Sequence, residues 1–281
     1  MANPLRPTQT EALAEWARRI RENREQVDRV REVGDGSDFY APVAGRFRAD
    51  PYRTDDPSLD VLRTLVAPGE TWLDVGAGGG RYALPIALLA KQIIALDPST
   101  GMLDILRDGM ERHGIHNIRI VQGRWPPVEN ADILGHADVA LISHVGYDIE
   151  DIGPFLDALE AAAPRCVAIF MERPPASDAN ELWPEVHGEA RIALPSLPEF
   201  LALQPARGRL FDVRLVPGIR STYTDPEQAL AFARRQTWVK PGSPKDQKLD
   251  ALVRERLRKA SGRLTLSDRP SRVGIVSWES A

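Results

Sequence analysis

Thr71-Trp72-Leu73-Asp74-Val75-Gly76-Ala77-Gly78-Gly79-Gly80 decides the fold. An apolar run carrying one acid, Asp74, stops in glycines. A helix-competent segment over 81–90 follows, and a second apolar run, Ile93-Ile94-Ala95-Leu96, ends in Asp97. The order is strand, glycine turn, helix, strand, acid. Glycine adopts positive φ and lets the backbone approach a ligand closely. An acid at the tip of the next strand can accept both hydroxyls of a ribose. The unit is suited to hold a nucleoside.

Two cofactor classes use such a unit. The dinucleotide pattern is G-x-G-x-x-G or G-x-G-x-x-A, with the pyrophosphate over a helix N-terminus. Counted from Gly76 it fails, because Arg81 stands where the third small residue belongs. Counted from Gly78 it fits Gly78, Gly80 and Ala83, but two residues beyond the first turn glycine. Asp74, inside the first strand, would repel a diphosphate. It suits a cation instead, such as the amino group and sulfonium of S-adenosylmethionine.

Further motifs follow in order: Ala95-Leu96-Asp97-Pro98-Ser99 with Met102, then Gly123-Arg124-Trp125, then the apolar run from Ala137 to Ser143-His144. Together with the glycine turn, they resemble the class I S-adenosylmethionine-dependent methyltransferases over roughly residues 58–175. The resemblance implies an α/β, Rossmann-like, mostly parallel seven-stranded sheet with helices on both faces and an antiparallel last strand. It implies S-adenosyl-L-methionine as cofactor and S-adenosyl-L-homocysteine as product. Asp97 should hold the ribose, with helix capping before Pro98 as its plainer role. Met102 should pack on the adenine, or simply fill the core. Gly76, Ala77, Gly78, Gly80, Pro98 and Ser143 complete the cofactor contacts. Asp74 contacts the cofactor or anchors the glycine turn.

The family usually places an aspartate after the third strand, against the adenine amino group. Here Gly123, Arg124 and Trp125 stand there, so backbone carbonyls or the Trp125 ring would take over. His144 ends the fourth strand, facing the methyl donor in the family's geometry. It is the candidate general base, with an acid limb of activity near the ordinary histidine pKa of about 6–7. The alternative is that it only touches the methionine part of the cofactor. Tyr40, Tyr147, Glu172, Trp183 and His187 are candidates to line an acceptor pocket. The acidic cluster that metal-dependent catechol-type methylation needs is missing at Ser143-His144, so no metal is expected. Asp148, Glu150 and Asp151 suit the next helix N-terminus. The Asn/Asp-Pro-Pro-aromatic motif of base-amine methylation is missing too.

Composition bounds the rest. The chain has 281 residues, a formal net charge of −4, 43% hydrophobic residues and 27% charged ones, ordinary for a globular protein. An acidic balance argues against a nucleic-acid backbone as the main partner, although a local basic patch stays open. The single cysteine, Cys166, lies in an apolar run and reads as core; one cysteine fits a reducing compartment. No signal peptide or membrane span is visible, and a cytoplasmic location is expected. A small-molecule acceptor is expected, more readily at oxygen, with no membrane partner; a homodimer is compatible. The other readings are an NAD(P)-binding oxidoreductase and a cofactor-binding protein without transfer activity.

Four regions are expected: a helical cap and linker over 1–57, the S-adenosylmethionine-binding core over 58–175, a lid over 176–207, and completion of the sheet over 208–281. A helix from Thr8 or Thr10 to about Val33 shows apolar spacing of three and four. Helices are also read over 99–113, 151–162, 225–235 and 245–260, and strands over 92–97, 118–122, 137–143, 166–171, 211–216 and 273–278. The proline-rich stretch after Arg173 is too apolar for disorder and reads as the lid.

Overall fold

In the strands, successive residues bury to opposite sides. Leu73 and Val75 of β1 (Thr71–Val75) enter one core and Trp72 the other; Ile94 and Leu96 of β2 (Gln92–Asp97) part from Ile93 and Ala95 in the same way. A period of two with both sides apolar is the signature of a sheet covered on both faces. The computed structural model describes residues 7–34, 48–126, 136–175, 177–260 and 262–280.

Around these strands the order is α1 (Gln9–Val30), α2 (Pro57–Leu65), β1, α3 (Ala83–Ala87), β2, α4 (Thr100–His113), β3 (Ile118–Gln122), β4 (Val139–Ser143), α5 (Ile152–Ala162) and β5 (Arg165–Met171). Then come α6 (Ser177–Asn180), α7 (Trp183–His187), α8 (Leu197–Ala206), β6 (Asp212–Pro217), α9 (Pro226–Thr237), α10 (Pro244–Arg256), β7 (Arg258–Ala260), β8 (Arg263–Thr265) and β9 (Arg272–Glu279). The main sheet has seven strands in the order β3-β2-β1-β4-β5-β9-β6. All are parallel except β9, which runs antiparallel to both β5 and β6. This is the expected α/β, Rossmann-like sheet, with its last strand reversed.

Register aligns the functional ends. Val75 pairs with Leu96 and Ile142, and Leu96 with Val121, so the residues just beyond β1, β2, β3 and β4 stand in one row. In such sheets ligands sit beyond the carboxyl ends of the strands. One core packs α1, α5 and α8 on the sheet through Trp16, Ile20, Phe155, Phe170 and Phe200. The other packs α2, α3 and α4 through Leu59, Leu84, Leu103 and Leu106. Cys166 is fully buried, and burial pushes its thiol up to about 12, as a core residue requires.

The structure corrects three sequence expectations. The helix expected over 81–90 is cut to Ala83–Ala87, where Pro85 lacks an amide donor, and Leu88 and Leu89 turn outward. The helix expected to reach 260 ends at Arg256, and the chain turns into the β7–β8 hairpin through Gly262. The segment expected as one lid over 176–207 divides. Leu182 and Val186 join a third core with Tyr223, Leu230, Leu249 and Val253, whereas Leu197, Phe200 and Leu203 of α8 enter the core of the sheet. Phe200 stacks on Phe170 at 4.5 Å, so α8 is part of the body of the fold.

Candidate functional site

The glycine turn is built for close approach. Gly76 and Ala77 both donate to the carbonyl of Leu96, at 2.8 and 3.1 Å, tying the turn to the end of β2. Gly76 has φ +78°, and a Cβ there would stand 2.5 Å from Val145. Gly78 has φ +53°, but a Cβ there would meet nothing within 4 Å. Gly76 is therefore required by packing, whereas Gly78 faces open space, as does Gly123. That open space is where a ligand can lie against backbone.

Asp97 ends β2 buried, with one carboxylate oxygen accepting from Gly78 N at 2.8 Å and the other from Ser99 N at 2.8 Å. The helix cap belongs to Ser99, whose hydroxyl accepts from Met102 N at 3.3 Å, so capping is not the role of Asp97. Gly123 N donates to the Asp97 carbonyl at 3.1 Å, which brings the third strand's end to the same place. Asp74 is only 3% exposed, and its Oδ1 has no hydrogen-bond partner. Burial first, and the charge of Asp97 second, push the Asp74 carboxyl up to about 7. A buried carboxylate with an empty acceptor beside a second acid attracts a cationic group.

On the other flank lies a set that sequence reasoning missed. Asp56 caps α2 by accepting from Ser58 N at 3.1 Å and Leu59 N at 3.4 Å. Its second oxygen receives Arg53 at 3.0 Å and Arg81 at 2.9 Å. Against the cost of burial, these arginines hold Asp56 below the usual carboxylate range. Both guanidiniums stand over the Tyr82 ring, at 5.6 and 5.4 Å, and Tyr82 lies 6.5 Å from the His144 ring. The available signal was Arg81-Tyr82 immediately after the glycines; nothing in the sequence tied Arg53 and Asp56 to it.

His144 and Trp238 are the non-glycine residues with positive φ among the described residues; at His144 it is +56°. Such a conformation costs energy and tends to mark functional positions. His144 N donates to the Ile169 carbonyl at 3.0 Å, and its Nδ1 is buried without a partner. Burial, then the positive charge of Arg81, pull its pKa down to about 4, with Asp56 opposing. The imidazole is neutral through the physiological range. The acid limb expected near 6–7 therefore moves down. Ser143 Oγ, next to it, is also buried without a partner.

The remaining candidates are scattered. Met102 is buried, and Pro98 and Arg124 are exposed. Trp125 donates to the Phe155 carbonyl at 3.1 Å, which turns its ring toward α5 and takes it out of free reach as a cover for a base. Tyr147 is buried against Phe170 at 4.9 Å, its hydroxyl accepting from Met171 N at 2.7 Å, so it serves packing. Glu172 is exposed. Trp183 is fully buried, and His187 lies against its ring at 4.2 Å with Nε2 2.9 Å from the Thr237 carbonyl. Trp183 and His187 thus meet each other, whereas Tyr147 meets the core at Phe170. Tyr40 lies outside the described residues. Among the described residues no group of three His, Cys, Asp or Glu could hold a metal ion, and no helix is long and apolar enough to cross a membrane.

Comparison with known proteins agrees with this geometry. Residues 73–161 match the family described as "Methyltransferase domain". An uncharacterized protein of Haemophilus influenzae is 33% identical over 102 residues, covering 36% of this chain and 37% of that one. Ribosomal RNA small subunit methyltransferase G of Neisseria meningitidis serogroup C is 32% identical over 117 residues, covering 38% of this chain and 56% of its own. The chain thus spans between about a third and a little over half of the length of these relatives. The S-adenosylmethionine-dependent methyltransferase of Thiobacillus denitrificans, solved with S-adenosyl-L-homocysteine, superposes with a TM-score of 0.50 at 16% identity. That match covers 89% of this chain and 100% of that one. Residues 73–161 match the methyltransferase-domain family, and the sheet that carries them has the fold of the class I S-adenosylmethionine-dependent methyltransferases.

Proposed function

We propose that the chain is an S-adenosylmethionine-dependent methyltransferase acting on a small-molecule acceptor, at oxygen. The single observation that carries this reading is the buried, unpartnered Asp74 Oδ1 beside Asp97, under the open space at Gly78 and Gly123. Asp97 is placed to accept ribose hydroxyls, Asp74 to meet the ammonium or sulfonium charge, and Gly78 to let the cofactor lie on backbone. Met102 and the backbone at Gly123 border the adenine side. The cofactor, when bound, supplies a methyl group on a positively charged sulfur. The residues around it align the acceptor and exclude water.

His144 is the base in this reading. A ring nitrogen would accept the proton that an acceptor hydroxyl gives up on methylation. Its neutral form predominates above about pH 4. The test is isothermal titration with S-adenosyl-L-homocysteine against NADPH, followed by methyl transfer to a panel of small phenols and acids. Binding of NADPH and not S-adenosyl-L-homocysteine would replace the reading with an oxidoreductase. Binding without turnover of any acceptor would favour a cofactor-binding protein.

A nucleic-acid acceptor is the second reading, and one surface supports it. Arg258, Lys259 and Arg263 are exposed on the β7–β8 hairpin with no carboxylate partner among the described residues. Relatives named as ribosomal RNA methyltransferases fit the same reading. Methyl incorporation into undermethylated RNA, weakened by charge removal at Arg258 and Arg263, would move the acceptor from small molecule to RNA.

A further inference from the structure

Arg191 is out of keeping with the other arginines tucked below the surface. Arg207 is neutralised by Asp157 at 2.6 Å and Glu160 at 2.9 Å. Arg234 has Asp246 at 2.6 Å, Arg165 has Glu70 at 3.0 Å, and Arg173 has Asp178 and Glu181. Arg191, half-buried, has no acidic partner among the described residues. Its Nη1 donates to Gln26 Oε1 at 3.3 Å and its Nη2 to Asn23 Oδ1 at 3.1 Å. Its Nε is buried without a partner. Burial, with nothing to offset it, draws the guanidinium down to about 10. A buried cation normally has a counter-charge, and one held only by neutral amides leaves that place open.

The guanidinium is also held in a fixed pose. It lies 4.0 Å over the Trp183 ring. The two amides beneath it are locked in turn: Gln26 donates to the Ala190 carbonyl at 2.7 Å, and Asn23 donates to the Ile192 carbonyl. A second donor stands in the same stack. Trp183 is fully buried, yet its indole Nε1 has no partner. His187, on the Trp183 ring, closes the stack. The segment that carries these residues leaves the sheet at the end of β5 and returns where Ser196 Oγ donates to the Glu172 carbonyl at 3.1 Å. Helix α1, which supplies Asn23 and Gln26, crosses the β4–α5 loop, with Trp16 donating to the Ile149 carbonyl at 2.9 Å. The stack therefore stands on the side of the carboxyl ends of β4 and β5.

We propose that Arg191 and Trp183, between α1 and the segment after β5, form a binding site for an oxyanion, a carboxylate or a phosphate, carried by the methyl acceptor. This rests on the methyltransferase reading for the word acceptor, but the site itself does not. Arginine presents a planar fork that matches both anions, and here its Nε–H and the second hydrogen on each Nη are left over for one.

The test is titration of the full chain with inorganic phosphate and, separately, with benzoate, at constant ionic strength set with chloride. Melting temperature and tryptophan fluorescence are the readouts. Saturable stabilisation by one anion and not the other names the source of the charge. Arg191→Gln should weaken it at least about tenfold, the loss of one charge-assisted bond. Arg191→Lys should retain part of it, and Arg254→Gln, whose arginine is exposed and already paired with Glu227 and Asp250, all of it. Trp183→Phe, which keeps the stack and removes the indole N–H, should weaken it less than Arg191→Gln. Equal responses in wild type and Arg191→Gln, or no saturation by either anion, would overturn the site. S-adenosyl-L-homocysteine affinity, measured on the same proteins, keeps the two readings apart. It should be unchanged in Arg191→Gln, and its absence in wild type would sink the methyltransferase reading while leaving the anion site standing.

Discussion

The two halves above the sheet are charged in opposite senses. Over β1 and β2, Asp74 and Asp97 are buried together, and one of their oxygens has nothing to bond. Above β4 and β5, a half-buried arginine has only neutral partners. Each half is electrostatically incomplete without a ligand of the other sign. Folding alone would pair such groups, because an unmatched buried charge destabilises. On the two proposals above, both imbalances are places where stability is given up for binding. The half over β1 and β2 is rigid, held by turn hydrogen bonds to Leu96 and by the sheet. The half above β4 and β5 rests on short helices and loops.

Removing the base tests the boundary between the halves and should have the largest effect. His144→Ala should lower kcat by about 10²–10⁴-fold while S-adenosyl-L-homocysteine binding stays within a few fold. His144→Asn, which cannot accept the proton, should be equally slow if the histidine is a base. Near-full turnover in Asn would leave it a positioning residue. In wild type saturated with cofactor, the acid limb of kcat should fall below about pH 5, because burial and Arg81 hold the imidazole pKa near 4.

Breaking the acidic half is the next largest effect. Asp97→Ala should cost about 2–3 kcal/mol of cofactor affinity, roughly a hundredfold by titration calorimetry. Asp97 also holds Gly78 N and Ser99 N, so hydrogen exchange at those amides should accelerate in the variant. Affinity unchanged by the substitution would remove Asp97 from the site.

Asp74 sharpens the comparison through stability. Its folded pKa is raised to about 7, above the unfolded value of about 3.9. Its contribution is therefore fully present below pH 4 and is lost as pH rises through 7. Asp74→Asn should make the ligand-free protein more stable at pH 8 by about 4 kcal/mol, with the gain vanishing near pH 4, while cofactor affinity falls about tenfold. Denaturant unfolding at the two pH values reads the first part. A variant less stable at pH 8 would mean Asp74 is a turn anchor and not a strained ligand group.

The smallest expected effect separates the two parts of the expected lid. With product cofactor and acceptor bound together, amide exchange should slow over 177–192 and change little in α8, whose Phe200 is already locked on Phe170. Equal protection in both would make the segment one unit.

Legibility followed the range of the interactions. The β1–turn–β2 unit was readable because apolar runs, glycines and a terminal acid are local signals with fixed spacing. The short α3 was misread because Pro85 was weighed too lightly against the apolar run around it. The division of 176–207 was unreadable, since whether Phe200 meets the sheet or a third core depends on partners distant in the chain. The surroundings of the acceptor candidates were unreadable for the same reason: Tyr147, Trp183 and His187 have the right chemistry, but their partners, Met171, Arg191 and Thr237, lie up to fifty residues away.

By itself the sequence determined the parallel αβ alternation, the positions of Asp74, the glycines and Asp97, and the end of the fourth strand at His144, because each follows from residue type and spacing along the chain. The tertiary structure alone decided that Asp74 keeps an unpartnered oxygen, that Arg81 and Asp56 set the charge around His144, and that Arg191 is left without an acidic partner among the described residues. Those depend on burial and on which charges meet across the fold, and neither is a property of any local stretch of sequence.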